Sequence, residues 1–140
     1  MQLTAIGRIT TPYREIAPFR PDPEEKGTFF IEVFPQYIEA MQDLARFSHI
    51  IVLFYFDRSE KTNLKAHPPH LAGKETGLFS SRSPNRINKI GMNVVEIRKV
   101  EDNRIYTSPM DALDGTPLLD IKPYVTQLDC FPQADSGHIC

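Results

Sequence analysis

Three cations, Arg82, Arg86 and Lys89, fall in the stretch "SRSPNRINKI" between two apolar runs. Pro84 fixes its own φ and restricts Ser83, so the shape of this loop is largely preset. A preset loop that presents guanidiniums can grip a carboxylate or phosphate through paired hydrogen bonds, with Ser80, Ser81 and Ser83 as short additional donors. A plain basic turn between two strands explains the composition equally well. A second group lies in "DALDGTPLLDIKPY", residues 111–124, where Asp111, Asp114 and Asp120 crowd one segment with Lys122. Gly115 and Pro117 make a tight turn there. An acidic turn near a basic loop suits a zwitterion, while an ordinary turn with Asp114 bonded to its own backbone is the alternative. Asp57-Arg58 forms a third candidate, placed where the most apolar run of the chain regains solvent.

The other reactive residue types are sparse. Of the two cysteines, Cys130 and Cys140, neither has the surroundings of a catalytic thiol, and no Gly-x-Ser-x-Gly elbow occurs. Cys130, His138 and Cys140 lack an evident fourth metal ligand, and "HPPH" (residues 67–70) suits a stiff loop better than a metal-binding helix. No metal is therefore expected. His49 heads an apolar strand and reads as a satisfied core histidine.

Charge and length bound the partners. The formal charge is −2 over 140 residues, but residues 58–99 carry nine Lys/Arg against three Asp/Glu. A basic middle segment in a mildly acidic protein points to a local anion site, and not to a surface that coats DNA. The 41% hydrophobic and 24% charged shares are those of one globular domain, taken as residues 1–140. No apolar run reaches the ~20 residues that span a bilayer, and the N-terminal "MQLTAIGRIT" does not read as a signal peptide, so a cytoplasmic location is expected.

The elements that must position these groups are mostly strands. Residues 3–11, 27–34 and 48–56 read as strands, residues 78–81 as a short one, and residues 91–108 as two strands meeting at Glu101-Asp102-Asn103. Pro35 opens a helix through about Arg46, with Tyr37, Ile38, Met41, Leu44 and Ala45 at helical spacing. The segment "REIAPFRPDPEEK", residues 14–26, holds three prolines and seven charges and reads as a long exposed loop. After the turn at 114–117 comes a short strand, then a tail with little periodicity. No Gly-x-Gly-x-x-Gly or phosphate loop follows a strand, and no strand–helix alternation marks a doubly wound sheet. The residues themselves point to a mainly β fold, an antiparallel sheet closed as a barrel with one helix attached.

The segments "IGRITTPY", "IEVFPQYIEAMQDLARFSHIIVLFYFDRSEK", "GLFSSRSPNRINKIGMNVVEI" and "DALDGTPLLDIKPYV", in this order, cover nearly the whole chain. Together they resemble the TsaA-like family of S-adenosylmethionine-dependent methyltransferases, whose best-known members methylate N6 of threonylcarbamoyladenosine beside the tRNA anticodon. The resemblance implies a small closed antiparallel β-barrel with one or two short helices and long loops, working as a homodimer. It implies donor contacts at Phe19, Arg20, Pro21, Asp57, Arg58, Arg82, Met92, Ala112, Leu113, Asp114, Gly115 and Thr116. Methyl transfer from a sulfonium is a direct displacement and needs no protein nucleophile, only alignment and a proton acceptor for N6–H. Asp57 and Asp114 are the candidate acceptors. Arg58, Lys61, Arg86 and Lys89 are expected on tRNA phosphates, which would make binding salt-dependent. A non-catalytic module that binds S-adenosylmethionine or a nucleoside, and a small-molecule methyltransferase, stand as alternatives. The family loop usually reads Arg-Pro-Asn-Pro-Ile-Gly, whereas this chain has Arg86-Ile87-Asn88-Lys89-Ile90-Gly91. Losing both prolines is expected to loosen the loop, and Lys89 adds a cation.

Overall fold

The structure is a computed structural model that describes residues 1–137. These residues divide into two compact units: Met1–Tyr55 with Met92–Tyr124, and Phe56–Gly91 with the described residues from Val125 onward. The first unit is built on a sheet that closes on itself. Its strands are β1 (Gly7–Thr10), β2 (Phe30–Val33), β3 (His49–Tyr55), β6 (Ile90–Glu101), β7 (Arg104–Thr107) and β8 (Thr116–Pro123), and they run in the order β1-β2-β7-β6-β3-β8. β1 pairs antiparallel with both β2 and β8, which joins the two ends of that order into a closed barrel. The antiparallel pairings of β2 with β7, β7 with β6 and β3 with β8 leave β6 and β3 antiparallel as well.

Alternation along the strands builds the interior. Successive strand side chains point to opposite faces, so every second residue faces inward. Ile9, Ile31, Ile50, Val52, Val95, Ile105 and Leu118 are all at most 1% exposed, and Val33 and Phe54 are nearly so. Each such aliphatic side chain contributes about 1.5–3 kcal/mol by leaving water. Two register shifts, between Leu53 and Phe54 on β3 and between Ile97 and Lys99 on β6, bend the strands as closure requires. Gly7 is obligatory for packing: a Cβ there would lie 2.2 Å from the Glu32 carbonyl oxygen on β2.

Two expected elements take another form. The helix expected from Pro35 to Arg46 is a pair of 3₁₀ segments, Pro35–Met41 and Leu44–Arg46, separated by Asp43 in the left-handed region at φ 65°. Neither segment buries a residue, so no apolar stripe rewards a continuous α-helix. The strand expected at residues 78–81 is a 3₁₀ turn, Leu78–Ser80, preceded by the two-residue strand β5 (Thr76–Gly77) that pairs with β4 (Lys65–Ala66). These belong to the second unit, as does the one α-helix of the described residues, α1 (Thr126–Asp129). The strand after the acidic turn is longer than expected, eight residues in β8. Asp102-Asn103 joins β6 to β7 as expected, with Asp102 at φ 54°.

Candidate active site

In the first unit, residues 111–116 form a turn laced onto the end of β1. The Thr11 amide donates to Asp114 Oδ1 at 3.2 Å, and Thr11 Oγ1 donates to the Ala112 carbonyl at 2.8 Å. The Asp114 and Gly115 amides donate to the Tyr13 and Ile9 carbonyls at 2.7 and 2.8 Å. Thr116 Oγ1 closes the turn on the Leu113 carbonyl at 2.6 Å. Gly115 holds φ +81°, and the space where a Cβ would stand is open for 4 Å. Asp111 at the head of the turn is held by the Asn93 amide, 2.7 Å from Oδ1, so β6 also anchors it. Met92, next to Asn93, is 44% exposed.

Tyr13 is the titratable group this arrangement perturbs. Its pKa is raised, first by burial and then by the negative charges of Glu25, Asp111 and Asp22, so its hydroxyl keeps its proton. Its ring packs edge-on against Phe29 at 5.8 Å. Glu25 and Asp22 come from the proline-rich loop, which is irregular as expected, with Arg20 over the Phe19 ring at 5.7 Å. An electronegative wall around a neutral phenol suits a cationic ligand group, such as an ammonium or a sulfonium.

In the second unit, the Arg-Ser-Pro loop is held from within. Arg86 Nη1 donates to the Ser81 carbonyl at 2.9 Å and to the Ser83 carbonyl at 3.3 Å. Lys89 Nζ donates to the Arg86 carbonyl at 2.9 Å, to the Lys61 carbonyl, and at 3.4 Å to Thr62 Oγ1. Ser59 Oγ reaches the Pro84 carbonyl and Asn85 Oδ1, and the Asn63 amide donates to the Asn85 carbonyl. Arg86 and Lys89 are half-buried, whereas Arg82 is exposed, with no hydrogen bond or ion pair to any described residue. The cations therefore divide into two that close the loop and one that faces outward. Asp57 and Arg58 sit in the turn after β3, with Arg58 Nε 3.4 Å from Asp57 Oδ1.

The residues expected on the donor thus fall in both units. Phe19, Arg20, Pro21, Met92 and residues 112–116 lie in the first, and Asp57, Arg58 and Arg82 in the second, with Lys61, Arg86 and Lys89. The sequence reading passed over Thr11, Tyr13 and Asn93 as contributors, and took Asp111 only as one acid of the crowded turn. "TTPY" carried a signal for the first two, because a Thr-Thr-Pro-Tyr run ends β1 where the chain must turn. Nothing local marks Asn93 or its pairing with Asp111, which are 18 residues apart. His138 and Cys140 lie outside the described residues, and no group of three or more His, Cys, Asp or Glu among the described ones is placed to hold a metal ion.

A family model described as the tRNA-methyltransferase O N-terminal domain matches residues 8–130. The chain belongs to this family. A relative from Archaeoglobus fulgidus, named S-adenosyl-L-methionine-binding protein, is 36% identical, with 96% of this chain and 97% of the relative covered. The mouse protein named tRNA (adenine(37)-N6)-methyltransferase is 44% identical over 76% of this chain, but the chain spans only 25% of it. A crystal structure of TrmO from Pseudomonas aeruginosa superposes with a TM-score of 0.79 at 31% identity, covering 98% of this chain and 62% of that one. Both candidate loops, the turn at 111–116 and the loop at 81–89, lie inside the matched span of the tRNA-methyltransferase O N-terminal domain.

Proposed function

We propose that the chain binds S-adenosylmethionine and transfers its methyl group to N6 of an adenosine beside the tRNA anticodon, with threonylcarbamoyladenosine as the acceptor. The observation that carries this reading is the family match over residues 8–130, which takes in every residue assigned to donor or RNA. The donor supplies an activated methyl group when bound. The residues present fit it: the open turn at Gly115 admits a ligand against its backbone, and Tyr13 with Asp22, Glu25 and Asp111 offers negative potential to a sulfonium or ammonium. Arg82 offers a guanidinium to a carboxylate. Alignment is then the main contribution of the chain, which explains a site with no nucleophile.

Asp57 and Asp114 remain the candidate proton acceptors. Asp114 Oδ1 accepts the Thr11 amide, which also gives this carboxylate a structural task, whereas Asp57 is exposed and bonded to its neighbour Arg58. Lys61 and Arg58, both exposed, are the better candidates for tRNA phosphates, because Arg86 and Lys89 are directed to backbone carbonyls. A homodimer is supported by the outer faces of the neighbouring strands β3 and β6, where Tyr55, Met92 and Val94 are 42%, 44% and 46% exposed. No helix among the described residues is long and apolar enough to cross a membrane, and a cytoplasmic place of action fits a tRNA substrate.

A second reading, a binding module without transfer activity, is favoured by the archaeal relative that this chain covers almost end to end and whose name records only binding. Calorimetric titration with S-adenosylmethionine, followed by transfer of labelled methyl to tRNA with and without threonylcarbamoyladenosine, separates the readings. Binding with label on modified tRNA supports the enzyme, and binding without transfer to any tRNA supports the module. Absence of saturable binding sinks both.

A further inference from the structure

Arg82 is exposed and makes no hydrogen bond or ion pair with a described residue, yet the backbone on either side of it is fixed. A single nitrogen of Arg86, Nη1, donates to the carbonyls of Ser81 and Ser83, the two residues that bracket Arg82. Ser81 is itself buried at 8% exposure, with Oγ donating to the Leu78 carbonyl at 2.9 Å and accepting from the Ser83 amide at 3.4 Å. The Asn85 amide donates to Ser83 Oγ at 3.2 Å, and Pro84 fixes its own φ and restricts the backbone of Ser83. A flexible arginine on a mobile loop loses much freedom when it grips a ligand, whereas one on a fixed backbone loses only side-chain rotamers.

We propose that Arg86 is a positioning residue that acts through Arg82, by clamping the carbonyls on both sides of it so that the Arg82 guanidinium is presented to a pair of anionic oxygens. This rests on the reading that Arg82 meets the ligand. The oxygens are those of the donor's α-carboxylate or of an RNA phosphate, and a bidentate guanidinium suits either. Arg86, read from the sequence as a phosphate contact, is then one step removed from the ligand.

The test is a double-mutant cycle on the full chain with Arg82→Ala, Arg86→Ala, Arg86→Lys and the Arg82→Ala/Arg86→Ala pair. Affinities are measured calorimetrically for S-adenosylmethionine and its decarboxylated analogue, and by filter binding for tRNA. Arg82→Ala is expected to weaken binding about tenfold or more, as loss of a charge-assisted pair does. Arg86→Ala is expected to cost less, about threefold to tenfold on the same scale, and nothing further once Arg82 is gone. Arg86→Lys, which can still reach one carbonyl, restores part of the loss. Loss confined to the carboxylate-bearing donor identifies that carboxylate, and loss confined to tRNA identifies a phosphate. Independent losses that multiply in the double variant would overturn the proposal, since Arg86 would then contact ligand directly. A wild-type protein that binds neither donor nor tRNA would sink the functional reading instead. Hydrogen exchange at the Ser83 and Asn85 amides, which donate to Ser81 Oγ and Ser83 Oγ, then still judges the clamp: faster exchange in Arg86→Ala upholds it, and unchanged exchange refutes it.

Discussion

Replacing Lys89 by methionine keeps most of the side-chain volume and removes its three donors. In the structure those donors reach the Arg86 and Lys61 carbonyls and Thr62 Oγ1, tying the 86–89 segment to the connection after β3. The Lys89 backbone is fastened to the same connection, because its carbonyl accepts the Phe56 amide at 2.8 Å. A hydrogen bond from a charged donor contributes about 1.5–3 kcal/mol when buried. Lys89 is only half-buried, and its methylenes still pack in the variant, so the net cost is about 2 kcal/mol for the set. For a chain of this size that corresponds to a fall in Tm of roughly 6 °C. The assay is thermal unfolding of both proteins at low and high salt, beside tRNA binding over a salt series. Because the acceptors are neutral, the difference in Tm should persist at high salt, and the slope of log affinity against log salt should stay the same. An unchanged Tm with a salt slope smaller by about one would show that Lys89 neutralises a phosphate and would refute its role in tying the loop.

Asn93→Ala frees Asp111 from β6 and should lower donor affinity severalfold with a small change in Tm, read by calorimetry and thermal unfolding; equal affinity would detach Asp111 from the site. Gly115→Ala forces a side chain into φ +81° at a cost of about 1–2 kcal/mol, although the surrounding space is open, so Tm should fall and donor binding weaken together. Thr11→Val removes the hydroxyl that bonds the Ala112 carbonyl and leaves that buried acceptor unsatisfied, costing about 1–3 kcal/mol in denaturant unfolding. Tyr13 has its folded pKa raised above the ordinary 10.0, so the native state holds the phenolic proton more tightly than the unfolded chain. Its contribution is complete below pH 10 and is lost as pH rises through the folded value. Tyr13→Phe should therefore flatten the alkaline limb of stability, and melts at pH 9–11 that lose stability equally in both proteins would refute the assignment.

Much of the barrel was legible because strand alternation is written in single residues. The run "HIIVLFY" reads as uniformly apolar, yet the structure buries Ile50, Val52 and Phe54 fully and leaves Ile51 and Leu53 half-buried and Tyr55 exposed. The sequence told where β3 runs but not which of its two apolar faces turns into the barrel. The helix after Pro35 failed for a different reason: Tyr37, Ile38 and Met41 have helical spacing, but no core face receives them, and Asp43 takes a left-handed conformation that no spacing rule anticipates. Asn93 and Asp111 were illegible as a pair because their contact depends on the register that brings β6 beside the turn.

The Arg-Ser-Pro loop shows most clearly why charge alone misleads. In sequence, Arg86 and Lys89 are two more cations in a basic segment, and phosphate is the natural partner for a cation with no visible anion. In the structure the partners are carbonyl oxygens of the loop and of the segment facing it, a class of acceptor present at every residue and therefore invisible to composition. The same observation changes the meaning of the missing prolines at 87 and 89. Proline stiffens a loop by restricting backbone angles, and it does so with no partner. Lys89 stiffens this one by bonding across to residues 61 and 62. The restraint has moved from the covalent chain to a side chain, which makes it sensitive to what happens at residues 61 and 62. A substitution such as Thr62→Pro, outside the loop and far from Arg82 in sequence, should then raise hydrogen exchange at residues 86–90. Unchanged protection there would mean that the contacts within the loop suffice to hold it.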